Sequence, residues 1–248
     1  MTVRNIFDFL NELYPIDTAC DFDNPGILVG DCEQKVSKAL VSLDCTLHTI
    51  EVAKNNGCEL IITHHPVIFH PLKNLLKGSV AYELASNNIA VISMHTNLDI
   101  GDGGINDSLA KTLKLQNIKT IVCDDGYVLK GGDVETTNAN NFADYLKEIL
   151  GGRIKFVDAK KPIAKVLLCG GSGGDYLYEA KKHNFDALVT ADIKHNFFLE
   201  AKDLGVSLFD SGHFNTEDVV IEPLKDLLQN KFPKISFLSD HTTFIEYK

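Results

Sequence analysis

The chain has no surplus of positive charge: 24 Lys and Arg stand against 34 Asp and Glu, for a net charge of −10 and a pI near 5.3. That balance excludes broad electrostatic binding to nucleic acid or to an anionic lipid surface. It leaves room for anionic substrates held locally, because a bound divalent cation dominates the field around it. The six cysteines (Cys20, Cys32, Cys45, Cys58, Cys123 and Cys169) form no C-x-x-C pair and no compact framework, so reduced thiols are expected rather than a disulfide-stapled scaffold. No apolar run reaches bilayer-spanning length. Arg4, Asp8, Glu12 and Asp17 interrupt the N-terminal apolar residues where a signal peptide would need a core. A cytoplasmic location and no membrane partner are therefore expected. Internal repeats and low-complexity tracts are also lacking.

What is present is ample core material, 44% hydrophobic residues in 248. That is enough for one large or two small domains. Val3, Ile6, Phe7, Leu10 and Leu13 fall at helical spacing and predict an opening amphipathic helix that Pro15 helps to end. Short β-branched runs then alternate with helical patterns. KALVSL, ELIIT, IAVISM, KVLLC, DALVT and VSLFD are the strand candidates; TLHTIEVAKNN, SVAYELASNN and NDSLAKTLKL are helices between them. Such alternation implies βαβ units and largely parallel sheets in an α/β fold. The pattern breaks after Cys123, where Gly126 and the Gly131-Gly132 pair precede a capped helix NANNFADYLKEIL, Gly151-Gly152 and a strand RIKFVD. We therefore expect two α/β lobes, residues 1–125 with 213–248 and residues 126–212. The closing segment reads as a helix EDVVIEPLKDLLQN interrupted near Pro223, then strand-like KISFL and TTFIEY.

The histidines carry the chemical information. His64, His65, His95, His195 and His213 all come at or just after the end of a predicted strand. In open α/β sheets that is where ligands bind. In ELIITHHPVIF a buried strand delivers two adjacent imidazoles, which point to opposite faces on a regular strand and so serve one site only past its end or with two ions side by side. The bland reading has one capping the sheet and the other facing water. MHTNLD brings His95 and then Asp99, a carboxylate able to bridge two cations about 3.5–4 Å apart, unless Asp99 or Asp102 only caps the helix that follows. His213 and Glu217 lie four apart, on one helical face if the helix has begun by His213. Three histidines and two carboxylates make a mixed nitrogen and oxygen set suited to two ions of Zn, Fe, Mn or Co and too rich in nitrogen for Ca or Mg. Asp192 and His195 after DALVT read as supporting partners, as a proton shuttle, or as a helix start with Asp192 at the N-cap. The Gly-rich VLLCGGSGGDYLYEA lacks both the P-loop and the dinucleotide spacing, and reads as a tight turn, with a phosphate cradle as the alternative.

With these residues in view the chain resembles the Nif-three-like family, whose members carry the name GTP cyclohydrolase 1 type 2 homolog. CDFDNPGILVGD resembles its D-N-x-G-x-x-V-G element and SLDCT its L-D-x-T, and THHP, MHTNLD, TADIKH and SGHFNTE follow in order. The resemblance implies a dinuclear metal centre in a cleft between two α/β lobes, held by His64, His65, Asp99, His213 and Glu217. It draws Asp44 and His95 in as neighbours and implies a toroidal homohexamer. Phe22 stands where the family usually has Trp, and Asn196 where many relatives have a second His. The expected activity is metal-dependent hydrolysis of a small nucleotide or heterocycle, with His95 as general acid/base. The alternative is a non-catalytic metal-binding or regulatory protein.

Overall fold

Thr2 opens the first helix as the spacing requires: its hydroxyl accepts the Asn5 N–H while the Asn5 side chain accepts the Thr2 N–H, so two orphan donors are satisfied together. In this computed structural model, which describes residues 1–246, that helix is α1 (Val3–Leu13), burying Val3, Ile6, Phe7 and Leu10. There follow β1 (Gly26–Val29), β2 (Lys38–Ser42), α2 (Leu47–Asn56), β3 (Leu60–Thr63), α3 (Val80–Ser86), β4 (Ala90–Ser93) and α4 (Thr96–Ile100). Next come α5 (Ile105–Thr112), β5 (Gln116–Val122), β6 (Val128–Thr137), α6 (Ala139–Leu150), β7 (Lys155–Val157) and β8 (Ile163–Ser172). The chain continues through α7 (Leu177–Lys182), β9 (Ala187–Ala191), α8 (His195–Leu204), β10 (Ser207–Asp210), α9 (His213–Glu217), α10 (Ile221–Lys231) and β11 (Ser236–Asp240).

Two compact units result: Met1–Asp102 with Ile221–Thr243, and Gly103–Val220 with residues 244–246. The junctions fall at residues 102 and 220, where the sequence placed them near 125 and 213. The first sits earlier because α5 packs on β6 and β8 of the second unit.

The first unit holds a five-stranded sheet in the order β1-β4-β3-β2-β11, parallel except for the antiparallel edge strand β1. Leu60, Ile61 and Ile62 have no exposed surface, which is why the central runs read as continuously apolar. Register then determines what lies at the strand ends. Ser42, Thr63 and Ser93 are aligned across β2, β3 and β4 and form a buried hydroxyl layer, with Thr63 Oγ1 2.8 Å from Ser93 Oγ. Two residues beyond each hydroxyl stand Asp44, His65 and His95.

The second unit holds a six-stranded sheet in the order β5-β6-β8-β9-β10-β7, with β8, β9 and β10 parallel and the other pairings antiparallel. Its centre is covered on both faces: Val166 and Leu168 join one apolar cluster with Leu109, Phe142 and Phe209, while Leu167 and Cys169 join another with Leu188 and Leu208. Each buried aliphatic side chain there contributes about 1.5–3 kcal/mol.

Two expectations are corrected, and a hairpin is added that the sequence did not suggest. Pro223 does not interrupt its helix; it lies in the first turn of α10, where the missing N–H costs nothing, and the irregular turn is Asp218–Val220 before it. KISFL is β11, but residues 241–246 of the second strand-like run have no regular structure, and Tyr247 lies outside the described residues. The stretch Gln116–Thr137 is a hairpin, β5 and β6. Among the described residues no helix is long and apolar enough to cross a membrane.

Candidate metal centre

In the first unit the aligned strand ends place three imidazoles together. One nitrogen from each of His64, His65 and His95 lies within 4.8 Å of the others. His64 is buried, and its Nδ1 donates to the Met94 carbonyl at 3.0 Å; a carbonyl only accepts, so the neutral ring carries its lone pair on Nε2. That Nε2 is 3.7 Å from Asp99 Oδ1, in the short helix α4. His65 Nδ1 donates to Asp44 Oδ1 at 2.8 Å, which again directs Nε2 away from its support. His95 Nδ1 donates to Asp23 Oδ1 at 2.7 Å.

Asp23, the first residue of the D-N-x-G-x-x-V-G element, supports His95, a role that no spacing in the sequence assigned to it. Its second oxygen accepts from both the N–H and the hydroxyl of Thr96, at 3.0 and 2.6 Å. Burial pushes this carboxyl up, but the hydrogen bonds from His95 and Thr96 outweigh it and bring it down to about 2. It is an anion at neutral pH and fixes the tautomer of His95. Phe69 lies edge-on to His95 with ring centroids 6.1 Å apart, and Phe22 lies 6.3 Å beyond it. Cys45, one residue past Asp44, is pushed up to about 12 by burial and by the Asp44 charge, so it offers a thiol rather than a thiolate.

The second unit carries the other two predicted residues. Helix α9 begins at His213, as the four-residue spacing requires, and His213 Nε2 lies 3.0 Å from Glu217 Oε2. Asp192 Oδ2 accepts from His213 Nδ1 at 2.7 Å. The reading of Asp192 as a helix start is replaced: α8 begins after Lys194, and Asp192, at φ 52°, turns its carboxylate to His213. His195 is the exposed first residue of α8. The Gly-rich run is more than a simple turn. Gly171 (φ 59°) donates its N–H to Thr216 Oγ1 and accepts from Thr190 Oγ1 through its carbonyl, and a methyl group there would overlap Glu217 Oε1. Glycine at 171 lets α9 approach β8 closely enough to seat Glu217. The N-cap position of α5 is Gly104, and Asp107, inside the first turn, accepts the Gly103 N–H at 2.7 Å.

A histidine ligand characteristically donates its second ring nitrogen to a carboxylate or carbonyl. His64, His65, His95 and His213 all do so, and His/carboxylate groups able to hold a metal therefore exist in this chain.

Comparison with known proteins places these residues in context. The chain is 32% identical over 244 residues to a Clostridium perfringens protein named GTP cyclohydrolase 1 type 2 homolog, covering 93% of this chain and 92% of that one. A Methanocaldococcus jannaschii protein of the same name is 30% identical over 239 residues, covering 93% and 96%. The crystal structure of Staphylococcus aureus hypothetical protein SA1388 superposes with a TM-score of 0.93 at 29% identity, over 100% of this chain and 99% of that one. The family model described as Duf34/NIF3 (NGG1p interacting factor 3) matches residues 1–246, and the chain belongs to that family.

Proposed function

We propose that His64, His65, Asp99, His213 and Glu217 hold two divalent ions and that the protein is a metal-dependent hydrolase. The observation that carries this reading is the common posture of the four imidazoles, each with Nδ1 on an oxygen and its lone pair on Nε2. Neutral imidazoles with carboxylates suit Zn, Fe, Mn or Co. When bound, such ions supply Lewis acidity and lower the pKa of a water to about 7.

The chain's own residues do the rest. Met94, Asp44 and Asp192 orient the ligand rings before any ion arrives. His95 moves a proton at its Nε2, and Asp23 holds the opposite nitrogen so that the ring presents one tautomer. Phe69 and Phe22 offer apolar ring surface beside His95 for a flat substrate such as a small nucleotide or heterocycle. The name carried by the curated relatives, GTP cyclohydrolase 1 type 2 homolog, supports hydrolysis at a ring carbon–nitrogen bond as the first class to test.

Elemental analysis of washed protein is the deciding measurement, with about two transition-metal ions per chain expected. Protein loaded with Zn, Mn, Fe or Co is then assayed against nucleotides, cyclic amides and phosphoesters, and turnover should vanish in His64→Ala. Metal bound in every form with no turnover on any class would replace the enzyme with a metal-binding or regulatory protein.

A further inference from the structure

Within the second unit, strand β6 outruns its pairing with both neighbours at one end. Its ladder with β5 ends where Asp133 stands opposite Gln116. Its ladder with β8 passes from Asp133 opposite Lys165 to Thr137 opposite Ile163, so the three residues Val134, Glu135 and Thr136 face Ala164 alone. That is a bulge, and a bulge releases backbone donors and acceptors from the ladder. Ala164 does not take them up with its own N–H, which donates to Asp186 Oδ2 at 3.0 Å. The released segment lines a cavity of about 590 Å³, together with Asn141, Phe142 and Tyr145 of α6. We infer that this cavity binds a purine nucleoside of the adenine type, held by its base.

The apolar wall is held in place before any ligand arrives. The Tyr145 hydroxyl donates to the Leu113 carbonyl at 2.9 Å, which ties α6 to the end of α5. The Phe142 ring lies 6.2 Å from the Tyr145 ring with 24° between their planes, and buried Phe209 meets Phe142 edge-on at 5.1 Å. Preset aromatic surface of this kind favours a flat ring, because the protein loses little freedom in stacking against it. The volume agrees: small-molecule sites span roughly 300–1,000 Å³ and set a few polar groups against apolar walls.

The released backbone selects among flat rings. In an extended strand the N–H and C=O of one residue point to the same side, so they offer a donor and an acceptor next to each other. Adenine presents the complement, an amino donor beside a ring-nitrogen acceptor. Lys114 and Glu135 contribute one charge of each sign to the cavity, so no net field favours a polyphosphate. Exposed Glu135, Thr136 and Asn141 offer polar groups to sugar hydroxyls. Among the described residues no histidine, no cysteine and none of the proposed metal ligands lines the cavity. Its chemistry is that of a binding site separate from the metal centre and not of a second reaction centre.

The experiment is equilibrium dialysis of the full chain against adenosine, with ribose as the control. About one adenosine per chain and no ribose should be retained. Thr136→Trp sets an indole on an exposed residue of the cavity wall and should weaken adenosine binding roughly 10-fold or more, with circular dichroism unchanged. Tyr145→Ala removes a ring and should weaken it by a similar factor, the scale of one base–aromatic stack. Tyr145→Phe keeps the ring and should bind like wild type. So should His64→Ala, whose lesion is at the proposed metal centre, which separates a nucleoside held in this cavity from one held beside the imidazoles. No adenosine retained by wild type, ribose retained equally well, or adenosine binding that a folded Thr136→Trp protein keeps in full would each overturn the assignment, as would binding lost in His64→Ala. If Tyr145→Ala fails to fold, Thr136→Trp and His64→Ala decide between them.

Discussion

His64 and His213 are presented by the same device made from different material. His64 is 1% exposed, stands on a register-fixed strand end and is held by a main-chain carbonyl. The His213 side chain is 32% exposed, opens a five-residue helix and is held by Asp192, itself 58% exposed. A main-chain acceptor cannot be removed by a point mutation, and a buried hydrogen bond escapes screening by solvent. The first unit therefore presents His64 as part of its core. The second presents His213 and Glu217 on a local turn that depends on Gly171 and one solvent-facing carboxylate.

This contrast ranks the expected effects of substitution. His64→Ala should abolish metal retention altogether, measured as metal per chain after dialysis; stoichiometric metal in that variant would break the comparison at its stronger end. Gly171→Ala should come next, since the new methyl overlaps Glu217 Oε1 and φ 59° disfavours any side chain. A loss of about 1–3 kcal/mol in denaturant midpoint analysis is expected, with weakened metal affinity. Asp23→Asn should lower turnover more than metal content, because it frees the His95 tautomer while the supports of His64 and His65 stay in place. Asp192→Asn should cost about 10-fold in metal affinity, the low end for such partners, because its bond is open to water. An effect as large as that of His64→Ala would show that exposure does not grade these supports.

Acid sharpens the same point. With the carboxyl of Asp23 lowered to about 2 from its ordinary 3.8, its contribution to stability is fully present above about pH 4 and lost as pH falls toward 2. That contribution is at most about 2 kcal/mol. Acid unfolding of the metal-free Asp23→Asn protein should show a correspondingly smaller pH dependence in that window.

Much of the site is legible in the sequence because it lies where apolar β-branched runs stop. THHP and MHTNLD announce their position by following LII and VIS, and His213 and Glu217 by their helical spacing. Asp23 gives no such signal: it is in a loop without periodicity, and its partner His95 is 72 residues away. The β5–β6 hairpin is hidden for a different reason. Gly131 and Gly132 read as a break, yet they lie inside β6, where the Phe185 ring covers the first and the Gln116 carbonyl the second, leaving no room for side chains. Local sequence shows a glycine's freedom and not the neighbour that demands it. The antiparallel edge β1 escapes in the same way, being four residues recruited by β4 and not by any pattern of their own.

Strand β11 pairs in parallel with β2, although nearly two hundred residues of chain separate them. During synthesis the outer edge of β2 thus stays uncovered while the whole second unit is made, and at about 5–20 residues per second the 138 residues from 102 to 240 take roughly 7–30 s to add. The sheet that carries three of the histidines is the first to begin and the last to close, so a ribosome stalled inside the second unit would leave an open β edge beside those imidazoles.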